Sequence, residues 1–65
     1  MLVSKVKEIM EARKTTVRGL MEGTGLANET VLRARGKEIS QCKLHTLVAI
    51  AKYLECTVND LFYED

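Results

Sequence analysis

Residues 44–54 read LHTLVAIAKYL, and this segment constrains the fold more than any other. Leu47, Val48, Ile50, Ala51 and Leu54 spread over more than one stripe of the helical period. A helix here is apolar almost all round and has to sit in the middle of the molecule, covered by its neighbours. A chain of 65 residues has few ways to provide that cover. Proline is absent and no stretch alternates apolar and polar residues long enough to make a strand, so the cover is read as further short helices. The expected fold is all-α, a compact five-helix bundle occupying residues 1–65 as one domain.

Ahead of that segment, Leu2, Val6, Ile9 and Met10 share one helical stripe, with Lys5, Lys7, Glu8 and Glu11 opposite. This predicts a first helix ending near Arg13 or Lys14. Thr16 can cap a second helix, because its hydroxyl can accept from the free amides of the following turn; Leu20 and Met21 then face inward. Gly23 and Gly25 stop that helix after about two turns, since glycine reaches the left-handed conformation without steric cost. A third helix starts near Ala27 or Asn28, buries Leu26, Val31 and Ala34, and ends at Gly36. Beyond the central segment, Thr57 reads as an N-cap, Asp60 as its reciprocal acid and Cys56 against Leu61 as a hydrophobic staple. A fifth helix is expected from there to about Tyr63.

The composition, 46% hydrophobic and 29% charged, is that of a folded chain. No apolar run approaches the ~20 residues that span a bilayer, and MLVSKVKEIM lacks the apolar core of a signal peptide, so a cytoplasmic protein is expected. The net charge of +1 hides a segregation: +5 over residues 1–52 and −4 over residues 53–65. One end of the molecule is suited to a polyanion, while the other faces solvent or a protein. Cys42, Cys56 and His45 supply three metal ligands at most where a closed zinc site takes four, so the cysteines read as small buried hydrophobes and no metal or other cofactor is expected. A lone histidine, no carboxylates paired across a cleft and no glycine-rich phosphate loop leave no catalytic set, and the chain is not read as an enzyme.

The register of Leu20, Gly25, Leu26, Val31 and Ala34, followed by the apolar helix and TVNDLF, resembles the phage-repressor (Cro and XRE) family of helix-turn-helix DNA-binding domains over residues 2–63. The resemblance implies a lambda-repressor-like bundle in which the third helix, about residues 28–35, lies in the major groove. It also implies a sequence-specific transcriptional regulator, a repressor, whose partner is double-stranded DNA. In the family, the positions equivalent to Asn28, Glu29 and Arg33 are common base or backbone contacts.

Chemistry gives each candidate a role. Asn28 can form two hydrogen bonds to adenine, Glu29 can accept from the amino group of cytosine, and Arg33 can reach guanine or a phosphate. Thr30 can touch a thymine methyl or a phosphate. Arg35 and Lys37, placed past the helix end, and Thr16 and Arg18, at the start of the second helix, are candidates for the phosphate backbone.

Four positions depart from the family's pattern. Met21 stands where a small residue is common between the two helices. Ala27 stands where serine or threonine caps the third helix, so either Asn28 becomes the cap or about 1 kcal/mol is forgone. Met10 and Arg35 occupy the places of an arginine–glutamate pair, which releases Arg35 toward solvent or phosphate. Val17 replaces a polar residue and offers only its amide.

A second reading makes the chain a helix-turn-helix-derived protein-interaction or antitoxin-like module, with Phe62 and Tyr63 in its contact. For the DNA reading, the economical assembly is a homodimer on a pseudo-palindromic operator with half-sites about 34–36 Å apart. Its candidate interface is the C-terminal helix, through Leu61, Phe62 and Tyr63.

Overall fold

A computed structural model describes all residues, Met1–Asp65. The chain runs β1 (Leu2–Ser4), α1 (Val6–Ala12), α2 (Val17–Thr24), α3 (Asn28–Arg35), a 3-10 turn over Ile39–Gln41, α4 (Leu44–Leu54), a second 3-10 turn over Val58–Leu61 and β2 (Phe62–Glu64). Four α-helices are present where five were expected, and both chain ends are strands. β1 and β2 pair antiparallel with Leu2 opposite Glu64, Val3 opposite Tyr63 and Ser4 opposite Phe62.

β1 replaces the start of the expected first helix, while the expected fifth is divided between the 3-10 turn over Val58–Leu61 and β2, which takes its last residues. Leu2 does belong to the apolar stripe, but it packs on the core as a strand residue. The helix starts only at Val6, whose amide donates to the Ser4 hydroxyl at 3.2 Å. At the other end, the Thr57 and Asp60 signal is real: the Asp60 carboxylate accepts from the Thr57 amide at 2.9 Å. What it starts is one 3-10 turn rather than a helix, because the Leu61 carbonyl, fully buried with its residue, accepts from the Lys5 amide at 2.7 Å. That bond commits the main chain to β1 and leads Phe62 and Tyr63, both good strand formers, into the ladder.

The bond from Thr57 holds the Asp60 carboxyl below its usual pKa. A depressed carboxylate contributes stability that is present above its unfolded pKa and is lost as pH falls through its folded one. Stability is therefore expected to drop below about pH 4. Asp60→Asn, which keeps an acceptor and cannot titrate there, should show a smaller drop in urea midpoint between pH 6 and pH 3; an identical drop would assign the acid sensitivity to other groups.

The core forms around α4 as its sequence requires. Leu47, Ile50, Ala51 and Leu54 are buried together with Val6 and Met10 of α1, Leu20 of α2, Val31 and Ala34 of α3, Ile39 and Leu61. Gly23, expected to stop α2, lies inside it, and a Cβ there would run into the Tyr53 ring of α4. Its missing side chain lets α2 and α4 close on each other. Only Gly25 ends α2, in the left-handed region at φ 79°, with its amide donating to the Met21 carbonyl at 2.8 Å. Glu55 ends α4 in the same region and forms an exposed ion pair with Arg13 at 3.0 Å, which ties the ends of α1 and α4 together.

Candidate nucleic-acid interface

Two short helices and a tight turn position this surface. The Thr16 hydroxyl accepts from the Gly19 amide at 3.0 Å and so caps α2, as its sequence indicates. After Gly25 the chain is fastened by Thr24, whose hydroxyl donates to the Leu20 carbonyl at 2.6 Å and accepts from the Leu26 amide at 3.2 Å. The Ser4 hydroxyl donates to the Ala34 carbonyl at 2.6 Å, closing the far end of α3. With Val31 and Ala34 at 0% exposure, α3 is held by its inner face and both its ends.

The outer face of α3 is free. Asn28, Glu29, Leu32 and Arg33 are exposed, and Thr30 is half-buried at the edge. Ala27 is the N-cap, in an extended conformation and with no side-chain bond, so Asn28 is the first helical residue. Its amide side chain is therefore not consumed in capping. The first-turn amides of α3 lack an internal acceptor and carry the positive end of the helix dipole.

Beside this face runs a groove of about 390 Å³. Thr30 and Arg33 form one wall, and Gln41, Lys43 and His45, from the segment entering α4, form the other. Sequence reasoning missed these three. Lys43 directly precedes a helix start, the same signal that singled out Thr16 and Arg18, but nothing local says that the starts of α3 and α4 share a surface.

The eight sequence candidates thus divide. Asn28, Glu29, Thr30 and Arg33 come together on α3. Thr16 and Arg18 lie at the start of α2; Arg18 is 88% exposed along its side chain and meets only Glu22, at 3.6 Å. Arg35 is the last residue of α3 rather than a residue past its end. It is half-buried, its Nε is buried without a partner, and with Lys37 it lines a slot beside β1. No acid pairs with it, in keeping with the loss of the family's ion pair, but it is half-buried rather than fully released to solvent. Cys42 and Cys56 are half-buried and unpaired, and burial pushes both thiols up. No three metal-ligating side chains converge anywhere in the fold.

A family model of Cro/C1-type helix-turn-helix DNA-binding domains matches residues 5–63. The chain belongs to that family. The Cro/C1-type match starts at Lys5 and so leaves β1 outside it, while it takes in all four α-helices and both 3-10 turns. No curated protein matches the chain. As a Cro/C1-type domain the protein binds DNA, and no helix of its fold is long and apolar enough to cross a membrane.

Proposed function

We propose that this protein is a sequence-specific transcriptional regulator, a repressor, that inserts α3 into the major groove and blocks transcription by occupying its operator. The observation that carries this reading is the division of α3: Val31 and Ala34 are completely buried, while Asn28, Glu29 and Arg33 stand exposed on the opposite side. Those three side chains are held at a fixed register by a helix that cannot rotate, as base reading requires. Asn28 suits adenine, Glu29 suits the amino group of cytosine, and Arg33 suits guanine. Thr30 lies at the groove edge within reach of a thymine methyl or a phosphate.

Phosphates flanking the site fall to Thr16 and Arg18 at the start of α2 and to Lys43 across the groove, with the open amides at the start of α3. Arg35, half-buried at the end of α3, and the exposed Lys37 beyond it are further candidates for the phosphate backbone, from the side of the slot beside β1. The C-terminal helix that would have paired two copies is absent, and Leu61, one of its three proposed contacts, is fully buried in the core.

Selection of bound fragments from random duplex DNA by the purified protein tests the reading and gives the operator. Against that operator, Arg33→Ala is expected to lose about tenfold or more in affinity and to relax preference at one base pair. Unchanged affinity and unchanged preference would remove α3 from the groove.

A further inference from the structure

One large apolar side chain stands among the polar ones on the outer face of α3. Leu32 is 47% exposed, and the other large apolar residues open to solvent, Met1, Leu44, Val48, Tyr53 and Tyr63, all lie outside α3. A lone exposed leucine is ordinary on most surfaces. On this helix its direction gives it a use. Val31 and Ala34 fix the inward side of α3, and with about 100° between successive residues Glu29 points almost directly away from them. Leu32 then lies about 60° to one side of Glu29 and Arg33 about 40° to the other, so the three share one surface.

The polar members of that surface are not spent on each other. Arg18 and Glu22, one turn apart on α2, form an ion pair, whereas Glu29 and Arg33, at the same spacing on α3, form none. Carboxylate and guanidinium are both left for an outside partner. Three residues apart on a helix, Glu29 and Leu32 have Cβ atoms about 5–6 Å from each other, which sets an acceptor beside an apolar group. Pyrimidines offer the complement of that pair in the major groove: the amino group of cytosine is on C4, and the position next to it, C5, carries a methyl in thymine. Cytosine methylated at C5 presents both groups on one ring. Leu32 has no donor or acceptor to pair with a base edge, so what it can gain in the groove is the exclusion of water from such a methyl.

We infer that Leu32 is a specificity-determining residue that reads the C5-methyl group of a pyrimidine. The methyl belongs either to a 5-methylcytosine whose amino group Glu29 accepts or to a thymine at the neighbouring step. The inference rests on the seating of α3 in the major groove and names a chemistry read there. It also separates Leu32 from Asn28, Glu29 and Arg33, because a C5-methyl can be added or removed without altering any base pair.

The test uses duplexes of the selected operator in which each thymine in turn is replaced by uracil, which lacks the methyl, and each cytosine in turn by 5-methylcytosine. Fluorescence anisotropy gives their affinities for the wild-type chain, Leu32→Ala and Leu32→Gln. Burying one methyl is worth about fourfold in affinity. At one position the wild-type chain should bind the methylated duplex about fourfold more tightly than its unmethylated counterpart, and both variants should bind the two alike. A uracil replacement that weakens binding identifies thymine as the source; a 5-methylcytosine replacement that strengthens it makes operator occupancy follow cytosine methylation. Both variants put good helix formers at an exposed site, so their helix content and urea midpoints should stay close to wild type. A wild-type chain indifferent to every methyl would overturn the inference, as would a methyl preference that persists in both variants. Arg33→Ala keeps the two failures apart. If it still weakens binding while no methyl matters, α3 is in the groove and only the role of Leu32 falls; if it too changes nothing, the seating of α3 falls with it.

Discussion

Ile50→Ala is expected to leave the chain largely unfolded at 25 °C. Ile50 is fully buried at the middle of α4, the helix against which α2 and the last 3-10 turn pack. Removing a buried aliphatic side chain of this size costs about 2–5 kcal/mol through lost transfer energy and the cavity left behind. A core this small supplies only about 3–5 kcal/mol. The loss therefore consumes most of the margin, whereas in a larger domain it would only lower the midpoint. Far-ultraviolet circular dichroism and urea titration read the result directly. Val48→Ala, on the exposed side of the same helix, removes a similar group from a site already in contact with water and should cost no more than about 0.5 kcal/mol. Because ligand binding draws on the folded population, saturating operator DNA should restore helix to Ile50→Ala. A cooperative transition with the wild-type midpoint would show that the core does not depend on α4.

That dependence was already written in residues 44–54, and so was most of the helical architecture. Strong periods and local caps need only neighbours in sequence, which is why α4, the Thr16 cap, the inward face of α3 and its end at Gly36 are all visible there. The same locality explains the failures. β1 and β2 are three residues each, too short to show a period of two, and they exist because positions 2–4 and 62–64 meet across the whole chain. The Thr57 and Asp60 pair marked a helical turn correctly but carried no information about its length, which the distant Lys5 amide decides. Gly23 looked like a stop because its purpose, room for Tyr53, lies on another helix. At the candidate site, the exposed residues of α3 were found from the helix alone. Gln41, Lys43 and His45 were not, because their nearness to Arg33 is a product of tertiary packing. Arg35 was misplaced for the reason that hid β1: the strand that half-buries it comes from the other end of the sequence.

If α3 is seated in the major groove, affinity for the selected operator must fall steeply with salt. Arg18, Arg33 and Lys43 are exposed, Arg33 and Lys43 form no ion pair, Arg18 meets only the exposed Glu22 on its own helix at 3.6 Å, and all three border the surface formed by the starts of α2, α3 and α4. Each cation that neutralises a phosphate releases about 0.9 of a counterion from duplex DNA. Three contacts give a slope of about −2.7 in log affinity against log salt, or about a 40-fold loss between 50 and 200 mM for one protomer, and about the square of that for two copies on one site. Lys43→Ala should flatten the slope by about one unit while weakening all sequences alike, because a phosphate contact carries no base preference. Lys5→Ala should leave the slope unchanged, since Lys5 sits at the sheet beside Asp60. Fluorescence anisotropy of a labelled operator across that salt range measures all three slopes. A slope near zero in the wild-type chain would mean that the exposed face of α3 meets an uncharged partner, which returns the helix-turn-helix to the protein-interaction reading. A steep slope that flattens by about one unit on Lys43→Ala would place the α4 entry on the DNA backbone, with α3 aimed between the strands it spans.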